Sequence, residues 1–315
     1  MRMMCAHVDN SIGFEFPMTT SDEVALSQYM RQVRHEVDEL LANVATYGEG
    51  CPRVLEDAIR HILLAPGKRL RPMLVLMASD ACRHRSNVSL ASACAVEMIH
   101  TYSLIHDDLP AMDDDELRRG LPTVHVAYGE ANAILAGDAL LAQAFEVIAR
   151  CDASPEKVVR CIRELTEAAG PCQLVGGQVD DLQAENSVGN VEQLQRIHER
   201  KTGAMFRVAL RLGGIAAGGE DEQITRLDTY GRHLGLAFQI VDDLLDEQGD
   251  TEQLGKQTGK DTEHGKLTYP ALMGVEGSRD LAADLIRQAC QQLDIFGETA
   301  EPLRQLAYFV LERNN

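Results

Sequence analysis

HTYSLIHDDLPAMDDDELRRGLPT, residues 100–123, sets five aspartates (Asp107, Asp108, Asp113, Asp114 and Asp115) between an apolar run and the pair Arg118-Arg119. Clustered carboxylates repel one another and raise each other's pKa unless a cation neutralises them. An all-oxygen donor set suits a hard divalent ion such as Mg2+, held through a few carboxylates while substrate phosphates complete its shell. Guanidinium groups grip phosphate oxygens in a planar fork, so Arg118 and Arg119 suit the phosphate side of such a site. Upstream, Val88 to Ile105 is apolar almost all round, which predicts a buried helix delivering His100, Tyr102 and the first aspartates from inside the core. Pro110 cannot continue a regular helix. The backbone must therefore loop between Asp108 and Asp113, and that loop lets Asp107 and Asp113 converge on one metal group.

A single acidic run is most often a solvated helix end. A second cluster, Asp242-Asp243-Leu244-Leu245-Asp246, argues against that here. Asp242 and Asp246 are four apart and share a helix face, where like charges are destabilising without a cation. Phe238, Ile240, Val241, Leu244 and Leu245 hold that face against a core. Basic segments lie elsewhere. Gly67-Lys68-Arg69-Leu70-Arg71-Pro72 opens a helix, whose N-terminus favours anions, and Lys68 and Arg71 share a face. Pro171 starts a helix carrying Gly176-Gly177-Gln178 and Asp180-Asp181, where glycines permit close helix approach. A long helix from Val191 to Leu212 holds Arg200-Lys201-Thr202. A Gly/Lys-rich loop with Lys256, Lys260 and Lys266 is the kind that closes over a phosphate.

The 315 residues can bury a sizeable core, and abundant Ala and Leu, few β-branched alternations and no Trp predict an all-α fold. Expected helices run from Ser21 to about Thr46, from Pro52 to Leu64 (broken by Pro66-Gly67), and from Ala131 to Ala149, the last a second buried apolar helix. Ile224 to Glu247 carries the second acidic cluster, and helices near Leu281–Leu293 and Pro302–Arg313 finish the chain. Residues 1–20 read as a flexible tail and 21–315 as a single domain. The eight cysteines show no metal-ligand spacing and read as reduced thiols of a cytoplasmic protein. Asp9 and Glu15 interrupt the first twenty residues, so no signal peptide is expected. No run of about eighteen apolar residues suggests membrane insertion. A net charge of −19 disfavours nucleic acid and acidic membrane surfaces as partners. It also repels a diphosphate at long range, so a local group of lysines and arginines has to overcome that field.

Taken together, residues 21–313 resemble the trans-isoprenyl diphosphate synthases, most closely the bacterial farnesyl diphosphate synthases. The resemblance rests on Gly67-Lys68-x-x-Arg71-Pro72, on Asp107-Asp108-x4-Asp113 with Arg118-Arg119-Gly120, and on Gly177-Gln178-x-x-Asp181-Leu182. Lys201-Thr202, Phe238-Gln239-x-x-Asp242-Asp243-x-x-Asp246, Lys256 and Gly265-Lys266 complete it. It implies an isoprenoid synthase-type bundle of about ten core helices around a deep central cavity, usually as a homodimer. The implied reaction is head-to-tail prenyl transfer from dimethylallyl or geranyl diphosphate to isopentenyl diphosphate, with about three Mg2+ ions when substrate is bound and Mn2+ as a substitute. The resemblance makes Asp107, Asp113, Asp242, Lys201 and Arg118 the catalytic set. Asp107 and Asp113 would bind metal from one side and Asp242 from the other, with Asp108 and Asp246 acting through water. Gly67, Lys68, Arg71, His100 and Arg119 would hold isopentenyl diphosphate. Arg118, Lys201, Gln239, Lys256 and Lys266 would hold the allylic diphosphate, with Thr202 beside them.

Tyr102 precedes Asp107 by five residues, roughly 7.5 Å along a helix, so its ring, with Ser103 next to it, can floor a cavity and stop a growing chain. An aromatic there, with the two-residue insertion in the first motif, is typical of bacterial members that stop at farnesyl diphosphate. Geranylgeranyl or geranyl diphosphate synthase is the alternative. A class I terpene cyclase fits less well, because Asp242–Asp246 stands where cyclases carry an Asn/Ser/Glu motif. Remoter still are a non-catalytic partner subunit, whose motifs would be degenerate, and an acidic Mg2+ or Ca2+ module, which would have no use for the clustered cations.

Overall fold

The computed structural model describes residues 20–184, 189–247 and 267–312, and they are overwhelmingly helical, as the composition predicts. Helix α1 (Thr20–Val44) turns Leu26, Val33, Val37 and Leu41 inward at helical spacing. Pro52 caps α2 (Arg53–Leu63), and Arg69, in left-handed backbone, starts the almost wholly buried α3 (Leu70–Ala81). A reciprocal Ser86–Ser89 capping box opens α4 (Asn87–Asp107), which extends past the expected end so that Asp107 is its last residue. A two-stranded hairpin, β1 (Leu117–Arg118) with β2 (Leu121–Pro122), follows, then the short α5 (Val124–Tyr128) and α6 (Glu130–Ala149). Next come α7 (Pro155–Ala169), α8 (Leu174–Ala184) and α9 (Val191–His198). After them lie α10 (Ala204–Ala217), α11 (Asp221–Glu247), α12 (Tyr269–Gln291) and α13 (Glu301–Glu312).

The packing brings the motif-bearing helices together. α10 packs on α3, α4 and α11; α4 also packs on α3 and α6; α11 packs on α12. Their buried side chains form one contiguous core reaching from Leu26 to Val310. Tyr230 of α11 is fully buried and donates its hydroxyl to the Leu303 carbonyl of α13 at 2.7 Å, fixing α11 against the end of the bundle.

Three features differ from expectation. The helix expected from Val191 to Leu212 is divided by a π turn at Glu199–Gly203. Helix α6 is not buried all round: Ala133, Ala136, Leu140, Ala144 and Ile148 face the core, while Ile134 and Leu135 are 45% and 55% exposed. Apolar composition records a preference for leaving water, and among the described residues no element of this chain covers that face. By length and composition α4 and α6 also reach what a bilayer crossing requires, against the expectation that no such run exists. α4 directs its apolar surface into the core.

Tyr230→Phe would remove this cross-helix hydrogen bond while the Leu303 carbonyl keeps its place in the α13 ladder, and urea unfolding should show a loss of about 0.5–1.5 kcal/mol.

Candidate active site

The first acidic cluster is shaped by the loop that Pro110 enforces. The Asp113 amide donates to the Asp107 carbonyl at 2.9 Å and the Met112 amide to the Leu109 carbonyl at 2.9 Å, so the chain folds back and sets Asp113 beside Asp107. Burial raises the Asp107 carboxyl to about 6; Asp113 and Asp108 add repulsion, while Lys201 and Arg118 pull the other way. Asp108, expected to act on the metal through water, pairs with Arg118. It is fully buried and accepts from Arg118 Nε at 2.9 Å, while Arg118 Nη2 also reaches Asp115 Oδ2 at 2.8 Å. Burial still holds Asp108 at about 6 against the pull of Arg118. The reason is local: the residue after the last turn of α4 points back toward the hairpin, whose arginine needs an anion. Arg118, expected on the allylic diphosphate, is accordingly held by two carboxylates.

The hairpin presents the neighbouring arginine. Arg119 (φ 55°) and Gly120 (φ 77°) form its two-residue turn, a backbone pair suited to joining twisted strands. The Arg119 guanidinium packs over Gly67, where a methyl group would come within 3.1 Å of it. Lys68 is exposed at the same turn. Arg71, one helical turn on, lies with its guanidinium 5.3 Å from the centre of the Phe206 ring, and its buried Nε has no hydrogen-bond partner among the described residues. Burial lowers Arg71 to about 10, opposed by Glu97 and Asp242, so it stays cationic at neutral pH. His100 is pushed well below its ordinary range by burial, and further by Arg71, Arg119, Arg118 and Arg69. It therefore offers a hydrogen bond and no charge.

On α11, Asp242 and Asp246 share a face as expected, and Gln239 precedes them, partly buried. Asp243, between them, accepts the Tyr269 amide at 2.9 Å and so fastens the start of α12. Lys201 and Thr202 sit in the π turn. Lys201 Nζ donates to Asp181 Oδ2 at 2.7 Å, and its pKa is raised by Asp181, Asp107 and Asp113 against burial. Gly177 of α8 makes this approach possible, since a Cβ there would fall 2.5 Å from the Lys201 amide nitrogen. Lys256 and Lys266 lie outside the described residues. The sequence reading passed over Glu97, the single acid in the apolar run from Val88 to Ile105, and that isolation was the available signal.

The donor set fits a hard cation. Asp107 and Asp113 are forced together in a partly buried place, and their repulsion is what a divalent ion would relieve. Among the described residues no three carboxylate, imidazole or thiol groups converge closely enough to hold an ion alone. A metal here needs further oxygens from a bound anion, as Mg2+ with a phosphate does.

Asp107 and Asp108 both titrate higher in the fold than their ordinary 3.8, so the folded chain binds their protons more tightly and their ionisation removes stability as pH rises from about 4 to 6. Asp107→Asn should therefore raise the metal-free melting temperature by about 2–4 °C at pH 7.5 and leave it nearly unchanged at pH 4. It should also abolish most of the stabilisation that Mg2+ with inorganic diphosphate gives the parent at pH 7.5, as read by scanning calorimetry.

The chain is similar to known proteins over most of its length. Residues 52–300 match the family model described as polyprenyl synthetase. Geranylgeranyl pyrophosphate synthase 7, chloroplastic, of Arabidopsis thaliana is 47% identical over 295 residues, covering 92% of this chain and 84% of that protein. The structure of an FPP/GFPP synthase from Zymomonas mobilis superposes with a TM-score of 0.82 at 38% identity, covering 91% of this chain and 99% of the other. That of geranylgeranyl pyrophosphate synthetase from Pyrococcus horikoshii gives 0.83 at 33% identity, with 93% and 99% covered.

Proposed function

This chain belongs to the polyprenyl synthetase family and is a prenyltransferase, and we propose that it joins isopentenyl diphosphate head-to-tail to allylic diphosphates to make geranylgeranyl diphosphate. The observation that carries the chemistry is electrostatic. Each aspartate cluster lies within electrostatic reach of a buried cation: Arg71 feels Asp242, while Lys201 feels Asp107 and Asp113. Neither carboxylates nor cations alone would serve a diphosphate leaving group.

In this reading Asp107, Asp113 and Asp242 would hold Mg2+, which would supply positive charge to the allylic diphosphate. Lys201, kept cationic by Asp181, aims at the same oxygens, and one opposite charge near 4 Å is worth about 4 kcal/mol at an effective dielectric of 20. Because that charge grows along the reaction, a preset cation favours the transition state over the ground state. Arg71, Arg119 and neutral His100 hold the diphosphate of isopentenyl diphosphate, whose double bond attacks the allylic cation. The departing diphosphate takes the proton, so no side-chain base is required. The phenylalanines Phe206 and Phe238, 5.2 Å apart, help to keep water from the cation.

Product length has two readings. The geranylgeranyl synthases among the relatives favour the longer chain. Tyr102 favours farnesyl diphosphate: it is 6% exposed, its ring stands edge-on to His106 at 5.8 Å, and Ser103 beside it bonds the His100 carbonyl. Assembly as a homodimer through the uncovered face of α6 is also part of the proposal, as is a cytoplasmic location on the strength of the free thiols.

Incubation with Mg2+, isopentenyl diphosphate and dimethylallyl diphosphate, followed by chain-length analysis of the dephosphorylated products, decides the first point. Geranylgeraniol supports the main reading, farnesol the Tyr102 stop, and no elongation points to a partner subunit. If farnesol is found, Tyr102→Ala should shift the product to geranylgeraniol. Ile134→Glu combined with Leu135→Glu should halve the mass seen by light scattering; an unchanged mass would move the interface elsewhere.

A further inference from the structure

Glu97 lies one helical turn before His100 on α4, is 1% exposed, and its Oε1 accepts from two guanidiniums at once. Arg69 Nη1 donates at 2.7 Å and Arg119 Nη2 at 3.3 Å. Both arginines stand in left-handed backbone, with φ of 51° and 55°, a conformation unfavourable for a residue with a side chain unless its surroundings enforce it. Their anchoring is unequal. Arg69 has three other acceptors, Asp38 Oδ1 at 2.8 Å and the carbonyls of Leu63 and Ala65 at 2.8 and 2.9 Å. Among the described residues Arg119 has beyond Glu97 only a long contact to the Ile62 carbonyl at 3.5 Å.

We propose that Glu97 is a positioning residue for isopentenyl diphosphate: clamped by Arg69, its carboxylate parks the Arg119 guanidinium beside Arg71 and His100, so that the anion pocket is formed before the anion arrives. This deepens the proposed function and rests on it for the identity of the ligand. Taken as charge alone, Glu97 would repel a diphosphate, and its removal would tighten binding. The geometry opposes that outcome. Without the shared carboxylate the Arg69 and Arg119 guanidiniums face each other unscreened, and Arg119, with fewer anchors, is the one that moves. The long Arg119 contact also suits a group that must turn from one anion to another with little loss. Burial raises the stake further, since the Arg119 side chain is only 15% exposed and an unpaired guanidinium there is poorly hydrated.

Two variants separate position from charge. Glu97→Asp keeps the charge but withdraws the carboxylate by about 1.5 Å, breaking the longer Arg119 contact first. Glu97→Gln keeps the shape and removes the charge. Equilibrium binding of isopentenyl diphosphate in buffer without divalent metal is measured for both, alone and in an Arg119→Ala background. E97Q should weaken binding by about tenfold or more and E97D by about threefold, and neither should weaken it much further once Arg119 is gone. In turnover the KM for isopentenyl diphosphate should rise by similar factors while that for the allylic substrate stays within about twofold. Unchanged or tighter binding by E97Q, or the same loss in the Arg119→Ala background, would overturn the proposal. Should E97Q not fold, E97D in the two backgrounds carries the test by itself. A parent chain that binds isopentenyl diphosphate yet elongates nothing would sink the proposed function and leave the binding comparison to decide on Glu97.

Discussion

Like charges crowded into a partly dry interior are the constraint on which this structure depends. Carboxylates press together at Asp107 and Asp113, and guanidiniums at Arg69, Arg71 and Arg119. Neither group is stable alone, and the fold answers with anions placed behind the cations. Asp108 and Asp115 hold Arg118, Asp181 holds Lys201, and Glu97 holds Arg69 and Arg119. These cations thus come paired on one side, which limits how far each can relax.

The helices serve that arrangement by bringing distant segments within reach. α4 carries Glu97, His100 and Asp107 on one rigid element; the hairpin returns Arg119 to it; α3 supplies Arg71 from the turn beside Gly67. Of the four non-glycine residues in left-handed backbone among the described residues, Arg69, Asp114 and Arg119 fall at turns that feed the site, and Arg83 lies in the turn after α3. Strain gathered mostly there, against the regular helices around it, lets a rigid bundle support an irregular pocket.

Much of this was legible in the residues and some was not, for identifiable reasons. The buried run of α4 and the break at Pro110 follow from periodicity and proline sterics, and the return of Asp113 to Asp107 follows from both. The common face of Asp242 and Asp246 follows from spacing alone. The pairing of Asp108 with Arg118 was not foreseen, because motif membership does not reveal which way a side chain turns at a helix end. The apolar character of α6 was clear, but its exposure depends on what lies opposite, which no local pattern encodes. Glu97 looked like one more charge in a helix, and only its long-range partners give it meaning. The positions of Lys256 and Lys266 rest on the sequence.

The π turn at Glu199–Gly203 has a consequence for how such a chain can change. A π turn holds one residue more than an α-helical turn, and each residue of an α-helix turns the chain by about 100°. Removing a residue between α9 and α10 would restore a regular helix but rotate one of them against its neighbours, taking either Leu194 and Ile197 or Phe206 and Leu210 off the core. Substitutions in this stretch are judged by what they do to Lys201 and Thr202. Deletions are judged by the phase of two helices at once, so its length is under tighter restraint than its spelling.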